Sequence, residues 1–413
     1  MNYKRDNPMG IDLTSPAMQQ DPYPSYAEMR HQREFVRVNH PVSGKDLRFI
    51  TRYDDVLFAL KDPRFVNDGR KLPTWDDWTK KWYIPTALKS FVDSMALADE
   101  PDHTRLRRLV HKAFTPTMIQ ALSGRIEQLT DEFLDAVARK PVVDFVDEFS
   151  LPLPLNVIGD MMGVSPEDRW NFRKWMSNTI TDVSPKDILG IVPKIRNAIG
   201  LDGFLKRLVA DRRANPKDDM TTALVLAEDA GETLSESELI SMLFLLLFAG
   251  HETTANLLAV GTLALLQNPD QLALLKANPA LIDTAIDELL RYTNPTQHIA
   301  LRYNIEDIEV GGQPIPQYST LVLCIAAANR DETIFENPEV LDITRTPNRH
   351  IAFGFGVHYC LGAPLARLEA KIAFTRLLER FPNMQLATPV DQLKWKGAPA
   401  LRGLKKLPLR MKG

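Results

Sequence analysis

One stretch constrains the fold more than any other. From Leu239 to Leu266 the chain is almost continuously apolar, with His251 and Glu252 breaking it at the centre. Neither half reaches the roughly 18 apolar residues of a membrane-spanning helix. Ser235 and Glu238 have the spacing of a capping box, in which each side chain reaches the other residue's backbone N–H. A helix opened there runs to about Gln267, where Asn268-Pro269 stops it. At 1.5 Å per residue it is about 48 Å long. A helix of that length, apolar around most of its circumference, has to pass through the middle of a folded unit.

The rest of the chain is read around it. Residues 102–291 are mostly helix; Ile126, Leu129, Phe133, Leu134 and Val137 form one helical stripe. Glu34–Val38 and Leu47–Thr51 read as strands joined by a turn at 41–44, and residues 53–61 as a helix. Residues 66–97, with Trp75, Trp78 and Trp82, read as a long connection with helical pieces. After Pro295 the strand signal returns. Residues 308–315 form a hairpin on Gly311-Gly312, and Leu321–Ile325 a buried strand. Residues 361–381 form a helix with Pro364 in its first turn.

No composition shift divides the chain. The expectation is a single domain over 1–413, mainly α, with a smaller β region built from both chain ends. Its β-rich parts are about 34–52, 296–325 and the C-terminal segment, and its helical parts about 102–292 and 361–381. Fifty Lys and Arg against 53 Asp and Glu do not make a general nucleic-acid binder. Two cysteines exclude a disulfide framework and fit a reducing cytosol. The polar, proline-containing N-terminus is neither a signal peptide nor an anchor. A cytoplasmic monomer without membrane or nucleic-acid partners is expected.

The chemistry concentrates in Phe353-Gly354-Phe355-Gly356-Val357-His358-Tyr359-Cys360-Leu361-Gly362. Two glycines two apart let the backbone turn tightly and approach something flat and bulky. Cys360 stands just before a helix, where unpaired N–H groups and the dipole favour a thiolate. Such a thiolate is a nucleophile or a metal ligand. A buried structural cysteine is the bland alternative, and zinc held by His358 and Cys360 a third.

This loop resembles the haem-binding signature of the cytochrome P450 family, soluble bacterial type, and the likeness extends from about residue 20 to the C-terminal RGLKKLPL. The resemblance implies a P450-like fold with the long central helix over a buried haem b. It implies Cys360 as the axial thiolate of the iron. It sets Phe353, Gly354, Gly362 and Ala249 against the haem, and His103, Arg107, Arg302 and His358 on its propionates. Glu252 and Thr253, in Ala249-Gly250-His251-Glu252-Thr253-Thr254, match the acid–alcohol pair of the oxygen-activation segment, where the helix loosens. His251 matches a variable position and receives no role. Glu288 and Arg291 match a structural Glu-x-x-Arg pair. Val340 stands where a third, basic partner is usual, which leaves Arg345 as the candidate.

The implied activity is a haem-thiolate monooxygenase. It inserts one oxygen atom of dioxygen into a largely hydrophobic small molecule, such as a terpenoid, fatty acid, steroid or polyketide. Segments 66–98, 170–176, 245–249, 296–300 and that near Ala400 would line the pocket; Arg70 and Lys71 read as solvated surface charges, with anchoring of a substrate carboxylate as the alternative. No dinucleotide fingerprint is present, so electrons come from a separate ferredoxin and its NAD(P)H-dependent reductase. Arg105, Arg108, Lys112 and Arg367 are candidates for the docking face. A peroxide-driven peroxygenase and a non-catalytic haem sensor or carrier are the alternatives. The intact acid–alcohol pair argues against the first, and no signalling segment supports the second.

Overall fold

The computed structural model describes residues 15–32, 35–39, 46–73, 75, 93–165, 167–169, 171, 174–175, 188–229, 231–397 and 400–411. The chain gathers into two compact units: Met1–Val66 with Glu127–Leu153 and Thr253–Gly413, and Asn67–Ile126 with Pro154–Glu252. Each unit is assembled from separated segments, which is why no linker shows in the sequence. The turn at 41–44, Trp78, Trp82 and much of 170–176 lie outside the described residues.

The first unit centres on a five-stranded sheet. Its order is Val36–Asn39, Asp46–Ile50, Thr320–Cys324, His298–Asn304, Phe65–Val66. Strands 46–50 and 320–324 run parallel, with Phe49 beside Val322; the other neighbours are antiparallel. Thr320–Cys324 is buried along its whole length, as its unbroken apolar run requires. Helix Tyr53–Lys61 puts Val56 and Leu60 into the same core as Ile50, Leu321, Leu323 and Ile351. The hairpin pairs Ile308–Val310 with Gln313–Ile315, and Gly311 and Gly312 have φ of 57° and 76°. Positive φ at both turn residues is what a tight two-residue hairpin needs. A second, three-stranded sheet pairs Pro408–Arg410 with Gln385–Leu386 and Val143–Asp144. Helices Ile282–Thr293 and Ala363–Arg380 of this unit pack on one another.

In the second unit, helix Met220–Val225 packs on both Ile188–Ala214 and Asp102–Ala113. Asp219 caps it, accepting from the Thr222 N–H at 2.8 Å, and Thr221 Oγ1 donates to the Met162 carbonyl at 2.8 Å.

The central helix spans Glu236–Gln267. Its capping box is formed: the Ser235 N–H donates to Glu238 Oε2 at 2.8 Å, and the Glu238 N–H donates to Ser235 Oγ at 3.3 Å. The backbone stays helical through Ala249–Thr254, so the loosening implied there is absent. A continuous i to i−4 ladder tolerates polar side chains that bond locally, and His251 Nδ1 donates to the Leu247 carbonyl at 2.8 Å. Because it is unbroken, this helix is long and apolar enough to cross a membrane by length and composition. Most of its apolar stretch is buried inside the fold.

Candidate active site

The cysteine loop lies in the first unit. Gly354 and Gly356 both have φ of 72°, where a side chain is strained. Gly356 also backs onto the end of helix Tyr53–Lys61; a Cβ there would sit 2.9 Å from the Leu60 carbonyl oxygen. The loop closes on itself through three backbone bonds. Gly354 donates to Ile351, Tyr359 to Gly356, and Cys360 to Phe353, at 2.9, 3.0 and 2.9 Å. This delivers Cys360, exposed, three residues ahead of helix Ala363–Arg380, whose first-turn N–H groups and dipole favour a negative sulfur. Gly362 flanks it, with its Cβ position 3.9 Å from Sγ. Phe353, Gly354, His358 and Gly362 are half-buried. Cys324 is the contrast. Burial pushes its thiol up to about 12, so it remains a neutral core residue at pH 7.

Behind the loop, Glu288 and Arg291 are both fully buried. Arg291 Nε and Nη2 each donate to one oxygen of Glu288 at 2.8 Å. Arg345 Nε adds a bond to Glu288 Oε2 at 3.1 Å and supplies the third partner, while Val340 contributes only its carbonyl to Arg291. Asn348 Nδ2 also donates to Glu288 Oε2, at 3.1 Å, a partner that no local sequence signal singles out. Removing one member of so sealed a network costs about 3–5 kcal/mol. The pair is therefore structural.

Of the cations assigned to propionates, Arg302 is 3% exposed, on strand His298–Asn304 opposite Leu321. In the second unit His103 and Arg107 lie one turn apart on helix Asp102–Ala113. His103 is buried, and burial followed by the Arg107 charge lowers its pKa, favouring neutral imidazole. On the central helix most residues are buried, but Leu245 and Leu246 are half-buried, Ala249 exposed, and Glu252 and Thr253 half-buried. These positions recur at helical spacing and leave one face open at mid-helix. His251 is buried, with Nε2 3.9 Å from Glu252 Oε2.

The proposed docking cations are less available than a sequence suggests. Arg105 pairs with Glu238, Lys112 Nζ donates to the Glu228 carbonyl at 2.6 Å, and Arg367 pairs with Asp287 at 2.9 Å. Arg108 is exposed. Arg70 is held by Asp68 and Asp93, and Lys71 by Asp99 at 3.2 Å, so their charges are balanced locally.

Comparison with known proteins decides the family. The sequence pattern described as "Cytochrome P450" matches residues 74–278 and 276–401. The "Polyketide biosynthesis cytochrome P450 PksS" of Bacillus subtilis is 46% identical over 362 residues, covering 88% of each chain. The "6-deoxyerythronolide B hydroxylase" of Saccharopolyspora erythraea is 37% identical over 406 residues, 97% of this chain and 99% of that one. The solved structure of the B. subtilis 168 bacillaene polyketide synthase P450 PksS superposes with a TM-score of 0.90 at 40% identity, covering 98% of this chain and 100% of that one. The chain belongs to the cytochrome P450 family. The mainly helical fold with its smaller sheet region is that of the P450s, and the protein is a P450 monooxygenase. The family's haem fits the residues found here. The exposed thiol at a helix start can ligate an iron, and the two left-handed glycines beside it present no side chain to a flat group.

Proposed function

We propose that this P450 carries haem b on the Cys360 thiolate and hydroxylates or epoxidises a largely hydrophobic small molecule. The observation that carries the reading is the cysteine loop. Of the two thiols, only that of Cys360 is exposed, and it stands three residues ahead of helix Ala363–Arg380 in a loop shaped by two positive-φ glycines. In this reading the whole chain, 1–413, acts as one haem domain.

The bound haem would supply activation of dioxygen, assisted by the electron-donating thiolate. The protein's residues do the rest. His103, Arg107, Arg302 and His358 provide cations and N–H donors for two carboxylates that would be costly to bury alone. Phe353, Gly354 and Gly362 shape the surface around the thiolate. Ala249 keeps the central helix low opposite an incoming substrate, and Leu245 and Leu246 repel water there. The Thr253 hydroxyl holds a proton at the reacting oxygen, and the Glu252 carboxyl resupplies it by exchange with water.

PksS is named for polyketide biosynthesis, which supports a polyketide-type substrate here. Electrons come from a separate ferredoxin and its NAD(P)H-dependent reductase, and the protein works as a cytoplasmic monomer. The test is product formation from a panel of polyketide-type compounds chosen by their spin-state shift. Product with dioxygen, ferredoxin and reductase, but not with peroxide alone, supports the reading. Product with peroxide alone makes it a peroxygenase. No product under either condition, despite tight compound binding, points to a carrier.

A further inference from the structure

We propose that Asp287 and Arg367 form a clamp on the cysteine loop that fixes where the Cys360 thiol points. The proposal rests on the reading of Cys360 as the iron ligand. Arg367 stands in the second turn of helix Ala363–Arg380, and Asp287 on helix Ile282–Thr293, one residue before the buried Glu288. Arg367 Nε donates to Asp287 Oδ1 at 2.9 Å. The same guanidinium lies 4.6 Å from the centre of the Phe353 ring, and its Nη1 reaches the Tyr359 hydroxyl at 3.5 Å. His350 Nε2 is 3.3 Å from the same Asp287 oxygen, with its ring 6.2 Å from Phe353.

Phe353 and Tyr359 are not arbitrary contacts. The Cys360 N–H bonds the Phe353 carbonyl at 2.9 Å, and Tyr359 is the residue before Cys360. One side chain therefore grips both arms of the loop beside the thiol. The other side of the loop is held independently. Lys61 Nζ sits 4.6 Å over the Phe355 ring, and the Leu60 carbonyl closes on Gly356. A planar guanidinium can bond a carboxylate at its edge and stack on a ring with its face, which an ammonium cannot do. Burial alone would raise the Asp287 pKa, but His350 and Arg367 bring it below the ordinary carboxylate range, so the pair stays charged at pH 7. These are positioning residues: neither is proposed to touch substrate or to transfer a proton.

The two helices carry a built-in control. Lys371 Nζ binds Asp283 Oδ2 at 2.8 Å, joining the same helices without contact to the loop. The readout is the reduced carbonyl complex of the holoprotein, in which a well-placed thiolate gives the red-shifted Soret band. Asp287→Asn and Arg367→Met should each raise the share of unshifted band about fivefold after the same mild urea exposure, the scale of one ion pair plus one ring contact. The double variant should rise no further than either single one, Arg367→Lys should behave like Arg367→Met, and Lys371→Met should match wild type. An unchanged share in Asp287→Asn and Arg367→Met overturns the clamp. So does an equal rise in Lys371→Met, which would make it ordinary helix pairing. If Arg367→Met is isolated without haem, Arg367→Lys and Asp287→Asn decide in the same way. A Cys360→His protein that keeps the red-shifted band would instead sink the ligand assignment, whatever the clamp variants do.

Discussion

Replacing Glu369 by Gln should remove a pH dependence of stability that the wild-type protein carries. Glu369 lies on helix Ala363–Arg380, 2% exposed, and its Oε2 has no hydrogen-bond partner among the described residues. Burial, the one cause acting on it, raises its carboxyl from the usual 4.5 to about 8. The folded protein therefore holds a proton that the unfolded chain gives up. The corresponding stability is fully present below about pH 4.5 and is lost as the pH rises towards 8. At roughly 1.4 kcal/mol per pH unit, the gap between 4.5 and about 8 caps the loss at about 5 kcal/mol. Between pH 5 and pH 8 the loss is about 3–4 kcal/mol. Gln has nearly the same shape and does not titrate, so its cost as a buried amide is the same at both pH values. The assay is urea unfolding of the holoprotein at pH 5 and pH 8, followed by far-UV circular dichroism. The wild type should lose about 3–4 kcal/mol more than Glu369→Gln over that interval. Equal losses would show that Glu369 is ionised in the folded protein and that its burial is relieved by solvent.

Three further outcomes follow from the site. Gly356→Ala combines a left-handed φ with a Cβ 2.9 Å from the Leu60 oxygen, and should lower haem retention measured by gel filtration while Gly231→Ala, in open space, does not. Arg107→Ala should weaken haem binding to the apoprotein and the double change with Arg302→Ala should weaken it much more; unchanged affinity in the double variant would make both ordinary cations. Thr253→Ala should keep consuming reduced cofactor while yielding several-fold less product and more hydrogen peroxide, with Thr254→Ala close to wild type. A wild-type ratio of product to cofactor in Thr253→Ala would move the proton-holding role to another group.

What the sequence made legible was local. The capping box at Ser235 and Glu238 specifies its own geometry, and the helix it opens ends at Gln267 as expected. Helix Tyr53–Lys61 and the Gly-Gly hairpin likewise depend on signals within about ten residues. The cysteine loop was legible because its glycines have one conformational purpose. Distant partners were not legible. Val143–Asp144 is two residues long, too short for any period, and becomes a strand only beside Pro408–Arg410. Arg345 could be named as the third partner of Glu288 only through the family resemblance, since 57 residues separate the two. Arg367 looked like a docking charge because its partner Asp287 lies 80 residues away. Glu369 reads as a solvent-facing helix residue among Arg367, Lys371 and Arg376, and only the packed structure shows it sealed. The loosened helix was implied by the family resemblance at Ala249–Thr254, yet local side-chain bonds such as that of His251 let the ladder run on.

The most direct test of the whole account is the Soret band of the reduced carbonyl complex in two cysteine variants. Cys324 is buried with its thiol held neutral, whereas Cys360 is exposed at a helix start. The account predicts that Cys324→Ser keeps the strongly red-shifted band and Cys360→His loses it. A red-shifted band that survives in Cys360→His, or that disappears in Cys324→Ser, would contradict it.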